Sequence, residues 1–104
     1  MRGLDFWLVT TEHLKNGLLF KDEEDYKCGM NCVAVSSVAT GVNILAFILM
    51  SNHTHFVLEC SETGVNEFIT RFKKYYARFF CNKYKEKKLF SRNWFGIWES
   101  FKTT

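Results

Sequence analysis

A chain of 104 residues is the size of one domain, and with 47% apolar and 17% aromatic residues, 11 of them Phe, it has the material for a packed core; a disordered or purely solvating segment is excluded. The formal charge is only +3, yet residues 21–25 read Lys-Asp-Glu-Glu-Asp while residues 71–92 are rich in Lys and Arg against the single acid Glu86. A basic end of this kind suits a polyanionic partner, and equally suits a solvated helix face.

The longest apolar run, Ile44 to Met50, is too short to span a bilayer. No signal peptide is read ahead of the four cysteines, Cys28, Cys32, Cys60 and Cys81, so they are expected reduced in a soluble cytoplasmic protein.

Asp5 to Thr11 (DFWLVTT), β-branched and aromatic, predicts a first strand. Asn16-Gly17 signals a loop. Asp22 then reads as an N-cap, followed by Glu23, Glu24 and Asp25 where negative charge suits a helix dipole. The helix runs to Ala39 and ends at Thr40-Gly41. Its expected buried stripe is Tyr26, Met30, Val33 and Ser37. Cys28 and Cys32 share a face at i and i+4, and read either as a zinc pair or as small thiols packed in the protein.

Val42 to Leu49 (VNILAFIL) is nearly continuously apolar, as expected of a strand near the centre of a sheet. Ser51-Asn52 marks a turn, and Thr54 to Cys60 returns as the partner strand of a hairpin. Thr63 is the expected cap of a second helix. Val65 to Tyr84 keeps a helical period through Val65, Phe68, Ile69, Phe72, Tyr76, Phe79 and Phe80, with Arg71, Lys74 and Arg78 on the opposite face. Leu89 to Phe101 is aromatic-rich and reads as a last short strand, with Trp94, Phe95 and Trp98 able either to stack on unpaired bases or to close the core. The order strand, helix, strand, strand, helix, strand predicts an α+β, ferredoxin-like βαββαβ domain with an antiparallel sheet and both helices on one face.

His53 and His55 are the candidate site. Spaced HxH at the start of a strand, they put two imidazoles on one face of the sheet. Such a pair is more often two half-exposed strand histidines than a metal site. With a third ligand and water, however, it would hold Mg²⁺, Mn²⁺ or zinc in an open site suited to polarising a phosphate.

The stretch AFILMSNHTHFVLE resembles the HUH signature of single-tyrosine transposases of the REP-associated and insertion-sequence type. The likeness extends upstream through DFWLVTT and LLFKDEEDY and downstream to FKKYYARFFCNKY, which is similar to the tyrosine-bearing helix; it covers roughly residues 5–90. That resemblance implies a single domain over residues 1–104, truncated at its C-terminus relative to the family. It also implies Mg²⁺ or Mn²⁺ held by His53 and His55, and attack on single-stranded, hairpin-bearing DNA by Tyr76, with Tyr75 the runner-up. Arg71, Lys74 and Arg78 would contact the DNA, and a homodimer would follow the insertion-sequence members that exchange the tyrosine helix between subunits.

Ser51 stands where that family usually has proline, and Thr54 replaces its usual apolar residue between the histidines. Where the family places a polar metal ligand one turn beyond the tyrosine, this chain has Phe80, Cys81 and Asn82. Two alternatives remain: a non-catalytic single-stranded nucleic-acid-binding module on the same fold, and a zinc-binding interaction domain built from Cys28, Cys32 and the histidines.

Overall fold

The computed structural model of the chain describes residues 5–13, 15 and 17–90, and the elements run β1 (Asp5–Glu12), α1 (Glu23–Thr40), β2 (Asn43–Leu49), β3 (His53–Cys60) and α2 (Glu62–Tyr84). The three strands form one antiparallel sheet in the order β1-β3-β2. The α+β, ferredoxin-like arrangement expected from the element order is therefore present. The expected last strand falls largely outside the described residues, as do Trp94, Phe95 and Trp98; at its start, Phe90 makes an antiparallel bridge to His13, just past β1.

β3, not β2, is the central strand. It alternates strictly: Thr54, Phe56, Leu58 and Cys60 are buried, while His53, His55, Val57 and Glu59 are half-exposed. Trp7, Val9 and Thr11 of β1 are buried on the same side. Phe56 meets Phe68 and Phe72 of α2 edge-on, each at 5.2 Å between ring centres, which places the helices against this side. Among the described residues no element covers the other side.

The continuous apolar character of 42–49 predicted a central strand, but β2 is an edge. A bulge at Leu45, between Ile44 and Ala46, shifts its register, and Leu45, Phe47 and Ile48 stay 40–53% exposed.

α1 is capped as expected: Asp22 accepts from the Asp25 amide at 2.9 Å, and Gly41 (φ 70°) closes the other end. Its buried stripe is shifted from the expected one. Asp25, Gly29, Cys32, Val33 and Ser36 face inward, and Met30 is 55% exposed. Gly29 sets that rotation, because a Cβ there would lie 2.6 Å from Phe20 Cε1 and 3.1 Å from Leu49 Cδ1. Only a glycine lets the helix approach so closely. α2 buries Val65, Phe68, Ile69, Phe72, Tyr76 and Phe80 as its periodicity predicted, but its N-cap is Ser61, accepting from Gly64 N, rather than Thr63. Glu62 begins the helix one turn earlier than the apolar stripe suggests.

An ionic knot ties the helices together. Lys83 Nζ lies 2.8 Å from Asp22, 2.6 Å from Glu24 and 2.9 Å from Asp25. The buried Asp25 carboxylate also accepts from the Lys21 amide at 2.9 Å and the Tyr84 hydroxyl at 2.5 Å. The three acids are close enough to hold a cation, and the Lys83 ammonium is that cation. Removing it takes away the cation that faces the buried Asp25 carboxylate and leaves that charge to its two hydrogen-bond donors. Lys83→Ala is therefore expected to lower the urea midpoint of unfolding clearly, whereas Lys27→Ala, which breaks only an exposed i,i+4 pair with Glu23, should leave it close to that of the unsubstituted chain.

Candidate metal centre and nucleic-acid surface

His53 and His55 sit side by side on the open face, at the end of the sheet where β3 begins and β1 finishes. Their ring centres are 4.6 Å apart and the rings are nearly perpendicular. Each is oriented through Nδ1. His53 Nδ1–H donates to Asn52 Oδ1 at 2.6 Å, and His55 Nδ1 is 2.9 Å from Thr10 Oγ1 on the neighbouring strand. In the tautomer with Nδ1–H directed at these oxygens, both Nε2 lone pairs remain for a ligand. A second hydrogen bond of this kind is what fixes the tautomer and ring plane of metal-binding histidines. Burial, then the neighbouring His53, lowers the His55 pKa and so favours the neutral ring that ligation requires.

The register supplies a residue that the sequence did not suggest. Glu12 pairs directly with His53 across β1 and β3, as Thr10 pairs with His55, and its exposed side chain shares the open face. Opposite residues on one face of an antiparallel pair have Cβ atoms about 4.5–5.5 Å apart, within reach of a common ion. The side chains are not gathered around one point in this structure; among the described residues the grouped ligand atoms are those of Asp22, Glu24 and Asp25. Two imidazoles and a carboxylate form a mixed nitrogen and oxygen set that fits a divalent metal with open positions.

The residues expected to complete the site lie elsewhere. Tyr76 is fully buried, ringed by Phe20, Phe72, Phe79 and Phe80, and its hydroxyl donates to the Leu19 carbonyl at 2.5 Å. Burial, with Asp25 nearby, raises its pKa far above that of a free phenol. Placed so, it is a core residue and not a nucleophile open to a phosphate. Its structural task is visible in the backbone: the Leu19 and Phe20 amides both donate to the Ser51 carbonyl, at 2.6 and 3.2 Å, and the Met50 amide to the His53 carbonyl at 2.8 Å. Tyr76 thus anchors the segment that holds the turn leading into His53.

Tyr75 is half-exposed beside Cys28, Cys32 and Val35, with its hydroxyl accepting from Arg71 Nη1 at 3.1 Å. Tyr26 and Tyr84 also belong to the helices. All four tyrosines of the chain therefore lie in the helical layer, on the opposite side of the sheet from the histidines. The same is true of Phe80, Cys81 and Asn82, and of the exposed basic row Arg71, Lys74 and Arg78. Cys28 and Cys32 approach to 4.0 Å between sulfurs as free thiols, again in the helical layer, so they do not join the histidines in one zinc site. Among the described residues no helix is long and apolar enough to cross a membrane.

Comparison with known proteins bears on this arrangement. Two solved structures share the fold, each with a TM-score of 0.65: a provisionally named transposase from Deinococcus radiodurans R1, 13% identical over 82% of this chain, and a REP-associated tyrosine transposase bound to a REP hairpin, 12% identical over the whole chain. This chain spans 65% and 59% of their respective lengths. No curated protein gave a significant match. The family described as "Transposase IS200 like" matches residues 9–100, a span containing β3, both histidines and α2, and the chain belongs to that family.

Proposed function

We propose that this chain carries the metal-binding and DNA-holding part of a tyrosine transposase site acting on single-stranded, hairpin-bearing DNA, with the attacking tyrosine delivered to the open face from outside the helical layer. The observation that carries the reading is the pair of imidazoles on one sheet face, each with Nδ1 engaged by a neighbouring oxygen. His53 and His55, with Glu12 as third ligand, would hold Mg²⁺ or Mn²⁺; the ion would supply Lewis-acid stabilisation of charge on a scissile phosphate.

The chain's own residues do the rest. Asn52 and Thr10 fix the rings, Tyr76 secures the preceding turn, and Leu8, Val57 and Ile48 give the surface an apolar floor around His55. Arg71, Lys74 and Arg78 provide a basic row on the far side of the molecule that would contact DNA away from the metal. A tyrosine able to face the histidines would come from a second copy, from chain beyond these 104 residues, or from another protein. The non-catalytic binding module is the form this same reading takes when no such tyrosine is supplied.

Three outcomes are expected. Incubation of the chain with labelled hairpin-bearing single-stranded DNA and Mn²⁺, followed by denaturing electrophoresis, should give binding without a covalent adduct traceable to Tyr76; an adduct abolished by Tyr76→Phe would overturn the proposal and restore Tyr76 as nucleophile. In Mn²⁺ titration calorimetry, His55→Ala should abolish binding, while Thr10→Val, which keeps the β-branched shape and loses the hydroxyl, should weaken it about 10-fold. Tyr76→Phe should leave the Leu19 carbonyl unsatisfied and lower stability by about 1–2 kcal/mol, with the fold retained by circular dichroism.

A further inference from the structure

A second polar feature lies where the sheet ends. α2 stops at Lys85, whose left-handed backbone (φ 59°) returns its amide to the Cys81 carbonyl; the Glu86 amide donates to the same oxygen at 3.1 Å. The chain is thereby turned back towards β1, where Leu89 is buried and Phe90 bridges to His13. Residues 85–88 become a strap across the end of the sheet instead of a continuation of the helix. Between it and the end of β1 lies an open surface cavity of about 530 Å³ lined by His13, Lys15, Lys85, Glu86, Lys87 and Lys88, of which all but His13 are exposed.

The cavity has a fixed donor and an uncompensated charge. His13 Nδ1 accepts from the Lys15 amide at 2.9 Å, which leaves the ring proton on Nε2. The ring is held edge-on to Phe80 at 6.4 Å and has Gly17 against it, where a Cβ would sit 3.1–3.3 Å from the ring atoms. Four lysines stand against one glutamate, and among the described residues none of the four forms an ion pair. Lys21, held over the Tyr84 ring at 4.3 Å, adds to the same field.

Position sets this cavity apart from the basic row on α2. His13 directly follows Glu12, the residue paired with His53, so the cavity opens at the same end of the sheet as the histidine pair. Arg71 and Lys74 line a separate surface with Asn66, Glu67, Thr70 and Tyr75, nearer the start of α2. We propose that the cavity formed by His13, Lys15, Lys85, Lys87 and Lys88 is a phosphodiester-binding site that grips the backbone of the single strand whose scissile phosphate reaches His53 and His55. The proposal rests on the transposase-site reading above. Lysines neutralise consecutive phosphates, the His13 Nε2–H donates to a non-bridging oxygen, and no base edge is read, so binding here is independent of sequence.

Fluorescence anisotropy with labelled oligo-dT and with a hairpin-bearing oligonucleotide, across about 50–300 mM NaCl, tests it in the presence of EDTA. Lys15→Gln/Lys87→Gln/Lys88→Gln is expected to weaken binding of both at least 10-fold at low salt and to flatten the log K against log salt slope by about 0.7 for each lysine. Arg71→Gln/Lys74→Gln/Arg78→Gln should change the slope less. His13→Gln, which keeps a donor, should bind more tightly than His13→Ala. If the wild-type chain binds but the pocket variant retains its affinity and slope, the inference fails while the transposase-site reading stands. If the wild-type chain binds no single strand at all, both fail. Unchanged melting temperatures of the lysine variants are expected and separate loss of binding from loss of fold.

Discussion

β3 is the strand on which the rest depends, because its two faces carry two different chemistries that cannot be exchanged. Phe56 and Leu58 must face α2, or the aromatic core has no floor; once they do, period-two geometry leaves His53 and His55 nowhere to go but the open side. A slip of one residue would bury both imidazoles and expose Phe56. The register is reinforced on the inner face by the buried Thr11 and Thr54 hydroxyls, which satisfy each other at 2.5 Å, and on the outer face by Thr10 and His55. Core and site are thus specified by the same hydrogen-bond ladder.

The helical layer stabilises that strand without contributing to the open face. Its aromatic side chains fill the core, Tyr76 fastens the 19–20 segment under the β2–β3 turn, and the Lys83 knot joins the start of α1 to the end of α2. Nothing on α1 or α2 reaches around the sheet. The division explains why a helix so rich in tyrosine and positive charge offers no nucleophile to the histidines in this arrangement.

Much of this was legible in the sequence, and the failures have identifiable causes. Local patterns gave β1, β3, the Asp22 cap, the Gly41 terminus and the apolar face of α2, since each depends on residues within a few positions of one another. The HxH spacing placed the histidine pair correctly on one face for the same reason. β2 misled because an apolar run looks alike at the centre of a sheet and on an edge; strand order is a long-range property. Met30 was favoured over Gly29 because periodicity ranks side chains by hydropathy, whereas α1 turns its smallest residue inward to approach Phe20. The place of Glu12 beside His53 follows from cross-strand register, and the lysine cavity from the meeting of residue 13 with residues 85–88. Neither is encoded by spacing along the chain. Tyr76 satisfied a family resemblance and an apolar stripe at once, and the stripe describes where it lies.

The exposed flank of β2 has a consequence of a different kind. NILAFIL contains no charge and no proline, two of the devices by which edge strands discourage pairing with strangers, and is left with the bulge at Leu45; among the described residues no strand pairs with its outer side, where Leu45, Phe47 and Ile48 remain open. Such an edge is a template for further strands. Pairing through this edge would need no unfolding of the chain, so it would answer to concentration even where the fold is intact.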